Sequence, residues 1–204
     1  MMVCYCYTSA QTNWVLKKEK EGIQVFVTNQ ENSKFKAIRV LCSLPGTMEQ
    51  LISVLQLVQI QPQWVVSTKN AYSIKQVSVD KLLYYAEVDL PWPINNRDMV
   101  IDLSFVQDPK TKILSIYANT IDHILPEIEG KQRVPYSAAK WLVISEGNHK
   151  ISIDYTIKID PGGGIPAWMV NLFIAKAPYE SFKNLTKLIQ EKRFQGQHYS
   201  FLKD

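Results

Sequence analysis

Gly162-Gly163-Gly164-Ile165-Pro166-Ala167-Trp168-Met169-Val170-Asn171 is the stretch that decides the fold. A glycine run frees the backbone, and Pro166 then starts a helix, because in the first helical turn its missing N–H would have had no partner anyway. From Ile165 the apolar residues recur at helical spacing: Trp168, Met169, Leu172, Phe173, Ala175, Tyr179, Phe182, Leu185, Leu188 and Ile189. The spacing predicts a helix that reaches about Arg193, roughly 40 Å long at 1.5 Å per residue. Such a stripe needs a surface of matching length, and in a chain this small only a broad sheet supplies one. Pro178 removes one helical bond, to the carbonyl of Ile174, and should kink the helix there. A bend that follows a twisted sheet and a hinge that lets half of the helix lift are its two readings. The glycine run is not a phosphate loop, since it lacks the Lys-Ser/Thr ending and the dinucleotide spacing.

Upstream of the helix, Lys150–Asp160 alternates with a period of two. Ile151, Ile153, Tyr155, Ile157 and Ile159 face one way; Ser152, Asp154, Thr156 and Lys158 face the other. Glu146-Gly147-Asn148-His149 turns this strand back onto Val134–Ser145. Tyr72–Val79, Leu82–Asp89, Met99–Val106 and Ile113–Ile121 also read as strands, with a turn at Asp108-Pro109-Lys110. Nearer the start, Ile23–Val27 and Phe35–Leu44 are strands. Trp14–Lys20 is expected to be a short helix ended by Gly22. Thr47–Ile60 is expected to be a helix capped by Thr47 and ended by Pro62. Helices and a meander of antiparallel strands make an α+β chain with the helices on one face of a curved sheet.

The chain has 204 residues, 46% hydrophobic and 21% charged, with a net charge of +4. That size and composition suit one domain, residues 13–204, with a full core. Scattered lysines offer nucleic acid no patch, although an anionic membrane surface would attract the chain weakly. No apolar run is long enough to cross a bilayer as a helix. Cys4, Cys6 and Cys42 have no metal-ligand spacing, and no metal or cofactor is expected. Residues 1–12 form an irregular apolar N-terminus or the remnant of a signal peptide, with Thr8-Ser9-Ala10 resembling its cleavage site. The chain is cytoplasmic under the first reading and periplasmic or secreted under the second.

Three stretches carry a resemblance to a known family. Trp14 with Lys17-Lys18-Glu19-Lys20-Glu21-Gly22-Ile23-Gln24-Val25-Phe26 resembles the opening of a START (StAR-related lipid-transfer) domain. Trp92-Pro93-Ile94-Asn95-Asn96-Arg97-Asp98-Met99-Val100 resembles that family's Pro-x-x-x-Arg-Asp-aromatic region, with Met99 where an aromatic residue is more usual. Gly163–Asn171 with Pro178-Tyr179-Glu180 resembles its C-terminal helix. The resemblance spans about Asn13 to Gln190. It implies a helix-grip fold, an antiparallel sheet wrapped around the long helix. It also implies a tunnel between them for one lipid, sterol-like or other hydrophobic molecule, gated by the helix and adjoining loops. Binding, with transfer as the further step, needs no catalysis and is expected of a monomer.

The resemblance places Arg97 in the tunnel at the ligand's polar end. A buried guanidinium needs a carboxylate or several acceptors, and Asp80, Glu87 and Asp154 are the candidate carboxylates. The other reading has Arg97 and Asp98 holding a strand start. Trp92 lies at the implied tunnel mouth, either meeting a membrane interface or pinning its loop as a core residue. Trp141, Trp168, Met169, Leu172 and Phe173 are expected in the sheet–helix interior, where core and ligand site coincide; Asp154 completes the candidate set. The enzymatic alternative, an aromatase/cyclase-like use of the fold, needs converging acid–base groups, for which Asp154 and Tyr117 are the available pair. His123, His149 and His198 have no nucleophile or metal-binding partner in sequence. A ligand sensor is a third reading.

Overall fold

The structure, a computed structural model, describes residues 13–30, 33–165 and 167–203, and only the backbone of 167–173. The reading of residues 1–12 and the start at Pro166 lie outside the described residues.

Three strands open the chain: β1 (Val15–Lys20), β2 (Ile23–Gln30) and β3 (Ser33–Pro45). Helices α1 (Met48–Gln56) and α2 (Gln61–Trp64) follow. Seven more strands come next: β4 (Thr68–Ser78), β5 (Lys81–Val88), β6 (Asn96–Gln107), β7 (Leu114–Thr120), β8 (Lys131–Arg133), β9 (Tyr136–Gly147) and β10 (Lys150–Asp160). Helix α3 (Ala167–Leu188) closes the order. The sheet runs β1-β2-β3-β10-β9-β7-β6-β5-β4, and β8 pairs with β6. After β3 the chain crosses through α1 and α2 to the far edge, then returns strand by strand until β10 pairs antiparallel with β3. A sheet held against a C-terminal helix in this way is the helix-grip arrangement that the resemblance implies.

Trp14–Lys20 is not a helix. Glu21 and Gly22 both have positive φ, 53° and 74°, and so form a tight hairpin turn that folds β1 onto β2. Gly22 serves that turn instead of a helix cap. β1 is an edge strand whose side chains are mostly exposed, so it lacks the alternation by which a half-buried strand announces itself, and its lysines protect the open edge.

The helix after β3 starts where expected and stops early. Thr47 Oγ1 accepts from the Gln50 N–H, while Gln50 Oε1 accepts from the Thr47 N–H, a reciprocal cap. Helix α1 ends at Gln56, a single 3-10 turn (Val58–Ile60) follows, and Pro62 falls in the first turn of α2. In one continuous helix Pro62 would clash with the carbonyl of Val58 and leave it unbonded. The break upstream avoids both.

Tyr179, Phe182, Leu185 and Leu188 are buried along the second half of α3, and Ile189 just past its end, as the helical spacing predicts. The helix is shorter than expected, about 33 Å. After Leu188 the Gln190 and Glu191 N–H groups bond three residues back, to Lys187 and Leu188, a tightened last turn. The chain then tucks Phe194 into the core. The C-terminal tail, unassigned from sequence, packs Phe201 against Phe105 and Tyr199 against Phe201, and the Tyr199 hydroxyl meets Ser53 Oγ at 2.9 Å.

Candidate functional site: the interior beneath the C-terminal helix

The period-two pattern sorts the strands into two faces. Register places Trp141 opposite Tyr155 and Ile116 opposite Trp141. These belong to the inner face with Val40, Cys42, Ile151 and Ile153, and the core follows it. At one end of the sheet this face is sealed: Leu44, Leu114, Val143 and Ile151 are fully buried. Toward the other end, the inner-face residues Val88, Ala118, Tyr155, Ile157 and Ile159 pack against the core yet stay only partly buried, as does Ile174 in the first half of α3. Apolar surface left open on the inside of a sheet borders a space instead of a packed neighbour.

Arg97 stands at that open end. Register puts it opposite Val88, two residues before the inward Met99. Its side chain donates from Nε to the Pro161 carbonyl (3.2 Å), from Nη2 to the Gly162 carbonyl (3.0 Å) and from Nη1 to the Asn95 carbonyl (2.6 Å). Arg97 therefore ties the β5–β6 loop to the glycine loop that leads into α3. Gly162 and Gly163 have φ of +68° and +61°, and a Cβ on Gly162 would lie 3.1 Å from the Pro135 ring, so the close approach needs glycine. Burial lowers the Arg97 pKa from its ordinary value, but an arginine stays charged. Its bonding partners are all neutral carbonyls.

The carboxylates expected beside Arg97 are engaged elsewhere. Asp80 accepts from the Ser78 hydroxyl. Glu87 projects from the outer face, where Lys131 (2.6 Å), Asn96 (2.8 Å) and Lys69 (3.2 Å) surround it. Burial alone would raise the Glu87 carboxyl; the hydrogen bonds from Lys131, Asn96 and Lys69 outweigh it and hold the pKa below the usual range. Asp154 pairs with Arg39 through both oxygens, at 2.8 and 2.6 Å. Because it alternates with the inward Ile153 and Tyr155, Asp154 lies on the outer face and is withdrawn from the interior set. Tyr117 also faces outward, with Lys140 5.7 Å from its ring centroid, so this pair does not converge inside.

Asp98, next to Arg97, turns outward and is gripped by Arg133 through Nε (2.9 Å) and Nη2 (3.0 Å). Arg133 also donates to the Leu125 and Pro126 carbonyls, which pins the long loop before β8. The strand-holding role weighed for both residues thus belongs to Asp98, while Arg97 reaches the loops. Trp92 is 91% exposed, so it is not a core residue pinning its loop. Trp141 sits in the interior in a cluster of rings, 4.7 Å from Tyr155, 5.2 Å from Phe182 and 6.4 Å from Trp64 between centroids. The side chains of Trp168, Met169, Leu172 and Phe173 lie outside the described residues. His123 and His149 are both at positive φ, His123 in a bend and His149 in the turn between β9 and β10.

Sequence reasoning passed over Trp64 and Tyr84 as interior residues. Tyr84 alternates with Leu82 and Ala86, which signals a shared face; Trp64 follows Pro62 in a helix too short to show a period.

Comparison with known proteins gives concordant matches. The model of the START domain family matches residues 6–194. An uncharacterized protein of Pseudomonas aeruginosa is 25% identical over 180 residues, 88% of each chain. The phosphatidylcholine transfer protein of Bos taurus is 25% identical over 183 residues, covering 87% of this chain and 84% of its own. Among solved structures, the STAR-related lipid transfer protein of Xanthomonas axonopodis aligns with a TM-score of 0.79 at 25% identity, over 87% of this chain and 99% of that one.

Proposed function

Because this chain belongs to the START domain family, whose members bind and transfer lipids, we propose that it holds one lipid between its sheet and α3 and passes it between membranes. The observation that carries this reading is the unsealed inner face at the Arg97 end, walled by Val88, Ala118, Ile157 and Ile159. An aliphatic wall with one cationic group at its rim suits a long apolar molecule with a polar end. Arg97 meets that polar end. Trp168, Met169, Leu172 and Phe173, on the turns of α3 above this end, are the proposed contacts from the helix side, and Trp141 forms part of the floor.

Trp92 supports a membrane-surface role, since an indole exposed between Pro91 and Pro93 matches the amphipathic side chains that settle at a bilayer interface. The acid–base pair on which the enzymatic alternative rests, Asp154 with Tyr117, faces away from the interior, which favours carriage over chemistry.

Native mass spectrometry of the freshly purified protein, with extraction and lipid analysis of the adduct, tests the proposal. A one-to-one lipid adduct, and uptake of lipid from mixed phospholipid vesicles by empty protein, are the expected results. A protein that arrives empty and takes up no lipid would sink it.

A further inference from the structure

Two loops leave the open end of the sheet side by side. Strand β8 pairs parallel with β6, Lys131 opposite Asn96 and Arg133 opposite Asp98. Parallel partners run the same way, so the β5–β6 loop and the β7–β8 loop enter the sheet at the same end, on strands about 5 Å apart. Each loop carries exposed apolar side chains. In the first, the Ile94 N–H bonds to the Pro91 carbonyl and closes a turn with Trp92 at its tip. In the second, the Lys131 N–H bonds to the Ile128 carbonyl, and Arg133 holds the Leu125 and Pro126 carbonyls. Ile124 and Ile128 nevertheless stay exposed. A pinned loop that keeps two isoleucines in water beside an exposed indole presents an apolar surface suited to a partner.

The charge around these tips is negative, although the chain as a whole carries +4. Asp89 precedes Trp92, and Asp122, Glu127 and Glu129 flank the isoleucines; all four are exposed. None of them makes an ion pair among the described residues. The neighbouring cations are engaged: Lys69 and Lys131 hold Glu87, and Arg133 holds Asp98. Even with Lys176, exposed on the first half of α3, four cations stand here against six carboxylates. Lys158 on β10 and Lys34 and Lys36 on β3 lie three or more strand spacings from β6, at least about 14 Å across the sheet. The screening length in physiological salt is only about 8 Å.

We propose that these two tips form one docking face and that its partner is a zwitterionic bilayer surface, not an anionic one. The inference rests on the lipid-carrying reading above and gives it a membrane. Trp92, Ile124 and Ile128 enter the headgroup layer. The carboxylates then lie among the headgroups, where the outward ammonium groups of phosphatidylcholine meet them favourably. Phosphatidylglycerol offers no such cation, and its surface potential repels the four unpaired carboxylates. Net charge alone favours the opposite choice; its distribution over the fold reverses it.

Sedimentation with sucrose-loaded vesicles tests this on the full chain and needs no cargo. One set is phosphatidylcholine, the other an equal mixture of phosphatidylcholine and phosphatidylglycerol, both in low salt. The wild type should bind the zwitterionic vesicles, and bind the anionic ones about tenfold more weakly. Asp122→Asn with Glu127→Gln and Glu129→Gln should bring the two affinities close together. Ile124→Ser with Ile128→Ser should weaken zwitterionic binding about fivefold. All five side chains are exposed, so these changes leave the core intact. Equal or tighter binding of the wild type to the anionic vesicles overturns the inference. A gap that survives neutralising the three carboxylates also overturns it, as do isoleucine variants that bind like the wild type. Binding to neither vesicle overturns it too, and lipid uptake read by native mass spectrometry then judges the carrier reading separately.

Discussion

Single side chains in this protein act mainly by where they discharge their polar groups. Asp98 and Arg133 are 1% and 9% exposed at their side chains and bonded through both carboxylate oxygens. Arg133→Met should cost about 3–5 kcal/mol in urea denaturation, because it strands a buried carboxylate. Asp98→Asn added to Arg133→Met should recover part of the loss. Glu87 gives a pH signature. Its pKa is lowered in the folded state, so its stabilising contribution is complete above the unfolded glutamate pKa and is lost as pH falls through the lower folded value. Denaturation midpoints followed from neutral pH to about pH 3 should therefore fall in acid, and Glu87→Gln should flatten that limb while lowering the neutral plateau. None of these partnerships is written in the sequence. Arg133 lies 35 residues from Asp98, and Lys131 lies 44 residues from Glu87. No local spacing links either pair.

At the scale of elements, the legible features were those with a local cause. Thr47 capped its helix as expected because capping involves only neighbouring residues, and Gln50 adds a third bond, from Nε2 to the Ile189 carbonyl at the end of α3. Thr47→Ala should lower stability by about 1 kcal/mol. Gln50→Ala should cost more than that in the same assay, since it loses both the cap and the tie to α3. The two misread elements failed for opposite reasons. β1 is held by backbone pairing to β2 and has no buried stripe to read, whereas residues 47–60 have an apolar stripe but not the continuous backbone it suggests. Parallel pairing of β8 with β6 over three residues leaves no pattern at all.

For the whole molecule, the arrangement to test is Arg97 as the tie between two loops at the open end. Arg97→Leu should reduce lipid occupancy severalfold while unfolding remains a single cooperative transition; unchanged occupancy would remove Arg97 from the site. Trp92→Ala should slow lipid transfer between vesicles by about fivefold, the worth of partly burying one aromatic side chain. Equilibrium occupancy should not change, and an equal loss in both measurements would instead place Trp92 against the lipid.

The sequence by itself determined the α+β class, most strands, the long terminal helix, its glycine approach and the inward stripe of β10, because periodicity and turn chemistry are local. It also placed Trp141 inside. Only the tertiary structure decided that Arg97 bonds to loop carbonyls, that Asp154 turns outward to Arg39, and that Trp64 meets Trp141 under α3. The Arg97 bonds to Pro161 and Gly162, the Asp154 pair and the Trp64 contact join residues 64 to 115 positions apart, and a contact closed over such a distance has no signature in the residues on either side of it.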